Sequence, residues 1–218
     1  MKSELKHSVD AAYVHWEHED MDSFYANPIG GYFSRLRVKK VLDAIKKSDS
    51  VVLDVGCEAG YVSAKLRKKV KNVVSFDIVF PALQKFRKKM NGISNMFPFQ
   101  AMSQFIPLKD NSVDYAVLTE VIEHMPEVDK VFSEVARVLK PGGKAIITYP
   151  QENMRQRIYW IAKMLGVKVD KEDEVTLFAY SRKDIANLLK RDFKINTFYS
   201  FPFWYPITNF IIVTKPMN

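Results

Sequence analysis

The chain has 218 residues, 47% of them hydrophobic, which fits one domain with ample material for a core. A single cysteine excludes an internal disulfide framework and suits a reducing compartment, so the expected location is the cytoplasm. The first residues are of mixed charge and no run of about 18 apolar residues occurs, so neither a secretory signal nor a membrane-spanning helix is expected. The formal charge of +8 gathers at Arg35 to Lys40, Lys65 to Lys71 and Lys85 to Lys89. These clusters are interleaved with apolar residues at helical spacing, as on solvated helix faces. The competing reading is attraction to an anionic partner, either nucleic acid or a phospholipid surface. No recognised nucleic-acid motif accompanies the charge, which favours solvated faces and leaves nucleic acid the less favoured partner.

Residues 1–32 mix aromatic and polar side chains without a clean period, among them Tyr13, His15, Trp16, His18, Phe24 and Tyr25. His15 and His18 have a His-x-x-His spacing beside acids, but without a further ligand cluster no metal site is expected. Phe33 to Lys47 reads as an amphipathic helix with Phe33, Leu36, Val41, Leu42 and Ile45 on its inner face. Next, Val51-Val52-Leu53-Asp54-Val55-Gly56-Cys57-Glu58-Ala59-Gly60 passes from an apolar run through an acid into a glycine turn, and Tyr61 to Leu66 reads as a helix start. A continuous apolar run suits a strand buried on both faces of a parallel sheet. Strand, tight turn and helix N-terminus together make a nucleotide-sized pocket at the carboxyl end of the strand. The dinucleotide fingerprint G-x-G-x-x-G is not met: counted from Gly56, Glu58 takes the second glycine position and Tyr61 the third. A pyrophosphate beside Glu58 would also meet like charge. Cys57 reads as a small packing residue of the turn rather than a nucleophile.

The remaining pattern, D-x-G-x-x-x-G after a strand, resembles the class I S-adenosylmethionine-dependent methyltransferases. The resemblance implies that Asp54, Gly56, Cys57 and Gly60 hold the methionine end of the cofactor. It also implies that the segment before the first strand caps the cofactor and shapes the acceptor pocket, with Tyr25 among the substrate contacts. A second strand, Val73 to Ile78, brings Asp77 to a position 23 residues beyond Asp54, near the interval expected of a ribose-binding carboxylate. A carboxylate can accept from both vicinal ribose hydroxyls; the alternative is a helix cap ahead of Pro81. Ile78 would lie against the adenine ring. Gln100 to Asp114 resembles another signature of the family, in which a short polar stretch carries adenine contacts. Met102 stands where many relatives have an acid, which leaves Met102 packing on the ring and the backbone of Ser103 reading its edge.

Tyr115 to Thr119 is the fourth strand, followed by Glu120-Val121-Ile122-Glu123-His124. Glu120 joins the cofactor contacts, and Glu123 and His124 are the catalytic candidates, since a histidine beside an acid can act as a general base near neutral pH. The alternative is that this pair merely orders the loop. Asp129 to Leu139 reads as a helix, and Leu139-Lys140-Pro141-Gly142-Gly143-Lys144, a further mark of the family, as a sharp turn into the strand Ala145 to Pro150. Tyr149 on that strand is a substrate candidate.

Met154 to Leu165 reads as an amphipathic helix where the family places variable lid elements, with Trp160 a substrate candidate. Its apolar face beside basic residues also suits a lipid surface. Ser181 to Lys190 starts with a cap and reads as a helix, and Lys194 to Ser200 and Asn209 to Thr214 are the last two strands. Phe198, Tyr199, Phe201, Phe203, Trp204 and Tyr205 make their connection aromatic, as either a hydrophobic pocket or an edge cover, with Trp204 the substrate candidate. The expected architecture is one α/β domain over residues 1–218: a Rossmann-like, doubly wound, seven-stranded sheet, mostly parallel with the last strand antiparallel. Residues 1–47 form an N-terminal cap and helix, 48–150 the cofactor-binding core, 151–180 the lid or substrate insertion, and 181–218 the final helix and antiparallel strands. The resemblance implies methyl transfer from S-adenosylmethionine to a small-molecule or lipid-like acceptor, nearest the quinone-biosynthesis branch. Three readings compete with it. A nucleic-acid methyltransferase would need an Asn-Pro-Pro-Tyr type motif where Glu120 to Glu123 stand; the others are a non-catalytic S-adenosylmethionine-binding module and a dehydrogenase.

Overall fold

The apolar run at Val51–Val55 is β1, an interior strand of a seven-stranded sheet ordered β3-β2-β1-β4-β5-β7-β6. The computed structural model describes residues 31–151 and 178–217, together with Asp10, Tyr13, Arg157 and Met164. In chain order these residues form α1 (Gly31–Ala44), β1, α2 (Tyr61–Leu66), β2 (Asn72–Asp77), α3 (Phe80–Lys89), β3 (Met96–Gln100) and β4 (Val113–Thr119). A 3-10 turn (Ile122–His124), α4 (Val128–Val138), β5 (Leu139–Pro150), α5 (Arg182–Leu189), β6 (Lys194–Phe201) and β7 (Thr208–Thr214) follow. Strands β1 to β5 pair in parallel, and β7 lies antiparallel between β5 and β6. The strand order reverses between β1 and β4, the switch point at which open α/β sheets bind ligands.

The continuous apolar reading of β1 follows from burial on both sides. Leu53 and Val55 enter a core with Phe132 and Val135 of α4 and Ile185 and Leu189 of α5. Val52 faces the other way, into a core with Val38, Val41 and Ile45 on the α1 side and Val62 and Leu66 of α2. Alternate residues of a strand point to opposite faces, so both must be apolar here. The expected cap of α5 forms: the Ser181 hydroxyl accepts from the Asp184 amide at 3.2 Å.

Three details differ from the sequence reading. The inner stripe of α1 is Ser34, Val38 and Val41, continued by Ile45, whereas Phe33, Leu36 and Leu42 are only half-buried. Two apolar stripes compete on this helix, and the sheet selects the one carrying fewer large side chains. The Leu139 to Lys144 stretch is part of β5 rather than a turn before it: Leu139 pairs with Val113 and Lys144 with Tyr115, and Pro141-Gly142-Gly143 bulge out between those pairs. Gly142 sits at φ 74°, and a Cβ on Gly143 would lie 2.8 Å from the Lys140 carbonyl, so the glycines serve the bulge. Finally, β3 carries Pro98 within Met96–Gln100, a residue that hides a strand signal in sequence but is tolerated at a sheet edge. Tyr25, Trp160, His15, His18 and all of the Met154 to Leu165 stretch but Arg157 and Met164 lie outside the described residues. Among the described residues, no helix is long and apolar enough to cross a membrane.

Candidate active site

The carboxyl ends of β1, β2 and β4 converge on the loop Gly56 to Gly60. The amides of Gly56 and Cys57 both donate to the Phe76 carbonyl, at 2.9 and 3.0 Å, and the Glu58 amide donates to Asp77 Oδ2 at 2.8 Å. The turn is thus stitched to the end of β2. Gly56, Glu58 and Gly60 adopt φ of 68°, 49° and 82°, the left-handed region that glycine enters at little cost and glutamate rarely does. Both glycines are also sterically required. A Cβ on Gly56 would overlap the Val121 side chain, and one on Gly60 would sit 2.6 Å from the Phe86 ring. The Cys57 side chain packs with Leu83, Phe86 and Met96, as its reading as a packing residue expects, so only its backbone faces the loop's chemistry.

Asp54 is fully buried. Ser63 Oγ donates to Asp54 Oδ2 at 2.5 Å and lies 2.7 Å from Ser75 Oγ, while Asp54 Oδ1 has no hydrogen-bond partner among the described residues. Burial, reinforced by the nearby Asp77 charge and opposed by the Ser63 bond, pushes the Asp54 carboxyl up to about 7. Asp77 is also pushed up by burial, against the backbone bonds it accepts, from Val79 to Oδ1 at 2.9 Å and from Glu58 to Oδ2. Asp77 therefore holds the entry to α3 and the glycine turn together, and each oxygen retains a second lone pair for a ligand hydroxyl.

Around Asp77 gather the expected adenine-side residues. The Ala101 amide donates to the Asp77 carbonyl at 3.2 Å, which brings half-buried Met102 and buried Ser103 beside the end of β2. The Ser103 hydroxyl is engaged with Gln104 Oε1 at 3.3 Å, and the Met102 carbonyl accepts from the Phe105 amide at 3.0 Å. The Ile78 carbonyl accepts from Gln100 Nε2 at 2.8 Å and from the Tyr13 hydroxyl at 3.4 Å. Tyr13 thus reaches over β2 from the N-terminal segment, and nothing in its local sequence distinguishes it from its aromatic neighbours.

At the end of β4, Glu120 turns the chain at φ 49°. Its Oε2 lies 3.2 Å from the Arg37 guanidinium, and its Oε1 has no partner among the described residues. Sequence reading missed Arg37. Its sequence neighbourhood, a run of basic residues read as a solvated face, carried no signal for this pairing. Glu123 and His124 form the 3-10 turn one residue beyond Val121, which packs on Gly56. Glu123 is buried, and its Oε1 lies 3.9 Å from His124 Nε2, longer than a hydrogen bond. Tyr149 is buried at the end of β5, its hydroxyl without a partner among the described residues and its pKa raised by burial. Trp204, in contrast, is 66% exposed.

Asp54, Asp77 and Glu120 bring three carboxylates to the ends of β1, β2 and β4, with Arg37 beside Glu120. Among the described residues, buried oxygens of Asp54 and Glu120 lack partners, as do the Thr148 and Tyr149 hydroxyls on β5. Such a donor-poor, acidic crevice suits a ligand bearing an ammonium and a sulfonium, with hydroxyls for Asp77. A diphosphate would meet like charge. S-adenosylmethionine fits this set, and a dinucleotide does not.

Comparison with known proteins agrees. Residues 53–147 match the family described as "Methyltransferase domain". The chain is 32% identical over 117 residues to a malonyl-[acyl-carrier protein] O-methyltransferase of Methylovorus sp., covering 50% of this chain and 40% of that protein. It is 33% identical over 105 residues to the ubiquinone/menaquinone biosynthesis C-methyltransferase UbiE of Wigglesworthia glossinidia brevipalpis, covering 45% and 42%. The chain thus spans less than half the length of the curated relatives it matches. Among solved structures, a SAM-dependent methyltransferase from Aquifex aeolicus superposes with a TM-score of 0.66 at 22% identity, over 84% of this chain and 93% of that one. An S-adenosylmethionine-dependent methyltransferase from Mesorhizobium loti gives 0.66 at 15%, over 81% and 96%. Residues 53–147 are therefore a methyltransferase domain, and the chain around them has the fold of the S-adenosylmethionine-dependent methyltransferases.

Proposed function

We propose that this chain transfers a methyl group from S-adenosylmethionine to a small-molecule or lipid-like acceptor. The observation that carries the proposal is the acidic crevice at the β1–β4 switch point, where buried oxygens of Asp54 and Glu120 have no donor among the described residues. Two relatives whose names specify a quinone C-methyltransferase and a malonyl-[acyl-carrier protein] O-methyltransferase support the acceptor class. When bound, S-adenosylmethionine supplies a methyl group already activated by the sulfonium charge.

What remains to the protein is alignment and charge. Asp54 and Glu120 hold the amino-acid end, with Gly56 and Gly60 letting it approach the main chain, and Asp77 holds the ribose. Ile78, Met102 and Ser103 border the adenine. Holding two reactants in line can remove roughly 7–11 kcal/mol of barrier. His124 takes the acceptor proton where one must leave, with buried Glu123 steadying the imidazolium charge from 3.9 Å. Tyr149 contributes a hydroxyl from β5 to the acceptor side, and Tyr25 and Trp160 complete the acceptor contacts.

Calorimetry with S-adenosylhomocysteine tests the cofactor assignment. Asp77→Ala is expected to weaken binding by at least ~1 kcal/mol, the scale of a lost charge-assisted bond. The loss should exceed that figure, because the same change releases the Glu58 and Val79 amides. An unchanged affinity in a folded variant would refute the ribose role. Transfer of radiolabel from S-adenosylmethionine into a lipid extract, absent in Asp77→Ala, would report turnover.

A further inference from the structure

The β6–β7 connection carries a feature that neither folding nor methyl transfer uses. The Tyr205 amide donates to the Pro202 carbonyl at 3.1 Å, which closes a turn with Phe203 and Trp204 at its two corner positions. Corners of such turns are ordinarily filled by glycine, proline, asparagine or aspartate, whose backbones suit them and whose side chains tolerate water. Here they hold two large aromatics that are 88% and 66% exposed. Their rings meet edge to face, 5.9 Å apart at 86°, so the pair forms one rigid apolar knob. The Ile207 amide donates to the Phe201 carbonyl at 3.1 Å, a second tie that holds the knob on its strands.

The knob's location and electrostatic setting are both informative. Strand β6 runs in the same direction as β1 to β5, because β7 is antiparallel to both β5 and β6. The turn after β6 therefore lies at the same end of the sheet as Asp54 and Asp77. The Gln151 amide donates to the Ile207 carbonyl at 2.8 Å, which ties the exit of β5 to the base of the knob. The strand below is flanked by cations on both sides: Lys40 Nζ stands 5.1 Å over the Phe201 ring, and the Arg182 guanidinium 4.4 Å over that of Phe198. Exposed Lys183 adjoins Arg182, and the nearby acid, Asp184, is bonded to Ser181. Arg182 and Lys183 open α5 at this end, whereas Lys190, Arg191, Lys194 and Lys215 lie at the far end of β6 and β7.

We propose that Phe203 and Trp204 are the membrane-docking knob of this protein, seated in the interface of an anionic phospholipid bilayer with Lys40, Arg182 and Lys183 facing its headgroups. Tryptophan favours the headgroup level, where an apolar ring with one polar edge is best solvated. Basic residues along the strand that carries it complement negatively charged lipids. Charge complementarity selects this occupant over a second copy of the chain, which would bring the same cations face to face. Docking at this end turns the crevice toward the bilayer, where an acceptor dissolved in lipid resides. The surface itself is independent of which molecule is methylated, and its test needs no turnover.

The test is flotation of the full chain with vesicles of phosphatidylcholine, with and without phosphatidylserine, at low and high salt. The wild type is expected to float with the anionic vesicles at low salt. Phe203→Ser/Trp204→Ser should lower that partition about tenfold or more, since binding scales with buried apolar area. Lys40→Glu/Arg182→Glu should remove the preference for phosphatidylserine. Folding of each variant is checked by its thermal midpoint and by S-adenosylhomocysteine affinity, both expected to be unchanged in the Phe203/Trp204 variant. A wild type that stays unbound, or a folded Phe203/Trp204 variant that floats equally well, overturns the proposal. So does a wild type that binds RNA or dimerises through this turn without binding vesicles.

Discussion

Replacing Gly60 by alanine is expected to cost several kcal/mol of stability and to abolish measurable S-adenosylhomocysteine binding. Two penalties combine at this residue. A left-handed backbone at φ 82° costs a residue with a Cβ roughly 1–2 kcal/mol. The new Cβ would also lie 2.6 Å from the Phe86 ring, which is fully buried between Leu83 and Met96 and has no space to withdraw. Overpacking of this kind adds about 1–3 kcal/mol. The total is a large part of the 5–15 kcal/mol that typically holds a domain together. Gly92→Ala provides the control, because Gly92 has nearly the same φ, 79°, with nothing within 4 Å of the added Cβ. Urea denaturation should show the Gly60 change costing at least about twice as much as the Gly92 change. Equal losses would mean that Phe86 yields and that the turn is not built around this contact.

Asp54→Asn is expected to act with opposite sign on folding and on ligand binding. The Asp54 carboxyl is held at about 7 in the folded chain, against an ordinary value of 3.8. A carboxyl raised on folding favours the folded state below the unfolded pKa, and that advantage is lost as pH climbs through the folded value. The contribution of Asp54 to the stability of the ligand-free wild type should therefore fall from about pH 4 to about pH 7, by a few kcal/mol at most. The asparagine variant carries no charge to desolvate and lacks this loss. Thermal midpoints measured at pH 4 and pH 8 should show the variant gaining on the wild type at the higher pH. Comparing two pH values removes any fixed cost of the new amide beside Ser63. S-adenosylhomocysteine binding at pH 8 should fall about tenfold or more, because the ligand's ammonium loses a buried anionic partner. A variant that keeps full affinity would place the ammonium elsewhere; a midpoint difference independent of pH would mean that Asp54 is not desolvated.

Sequence alone determined the features that rest on local chemistry. The β1 run, the glycine turn and the acid 23 residues further on belong to short segments whose residue types leave few backbone choices. Continuous apolarity at Val51 to Leu53 already implied a strand covered on both faces, and Asp54, Gly56, Gly60 and Asp77 could be named from spacing and resemblance. Only the tertiary structure decided what depends on partners distant in the chain. Arg37 meets Glu120 across 83 positions, and Tyr13 reaches Ile78 across 65. Ser63 finds Asp54 and Ser75 only because α2 folds back over β1 and β2. The inner face of α1 was likewise ambiguous until the sheet chose between two stripes. Trp204 shows the limit from the other side: an aromatic-rich loop reads the same whether it lines a pocket or projects from a turn. Side-chain type and spacing encode backbone preference, but burial and pairing are set by which surfaces the fold brings together.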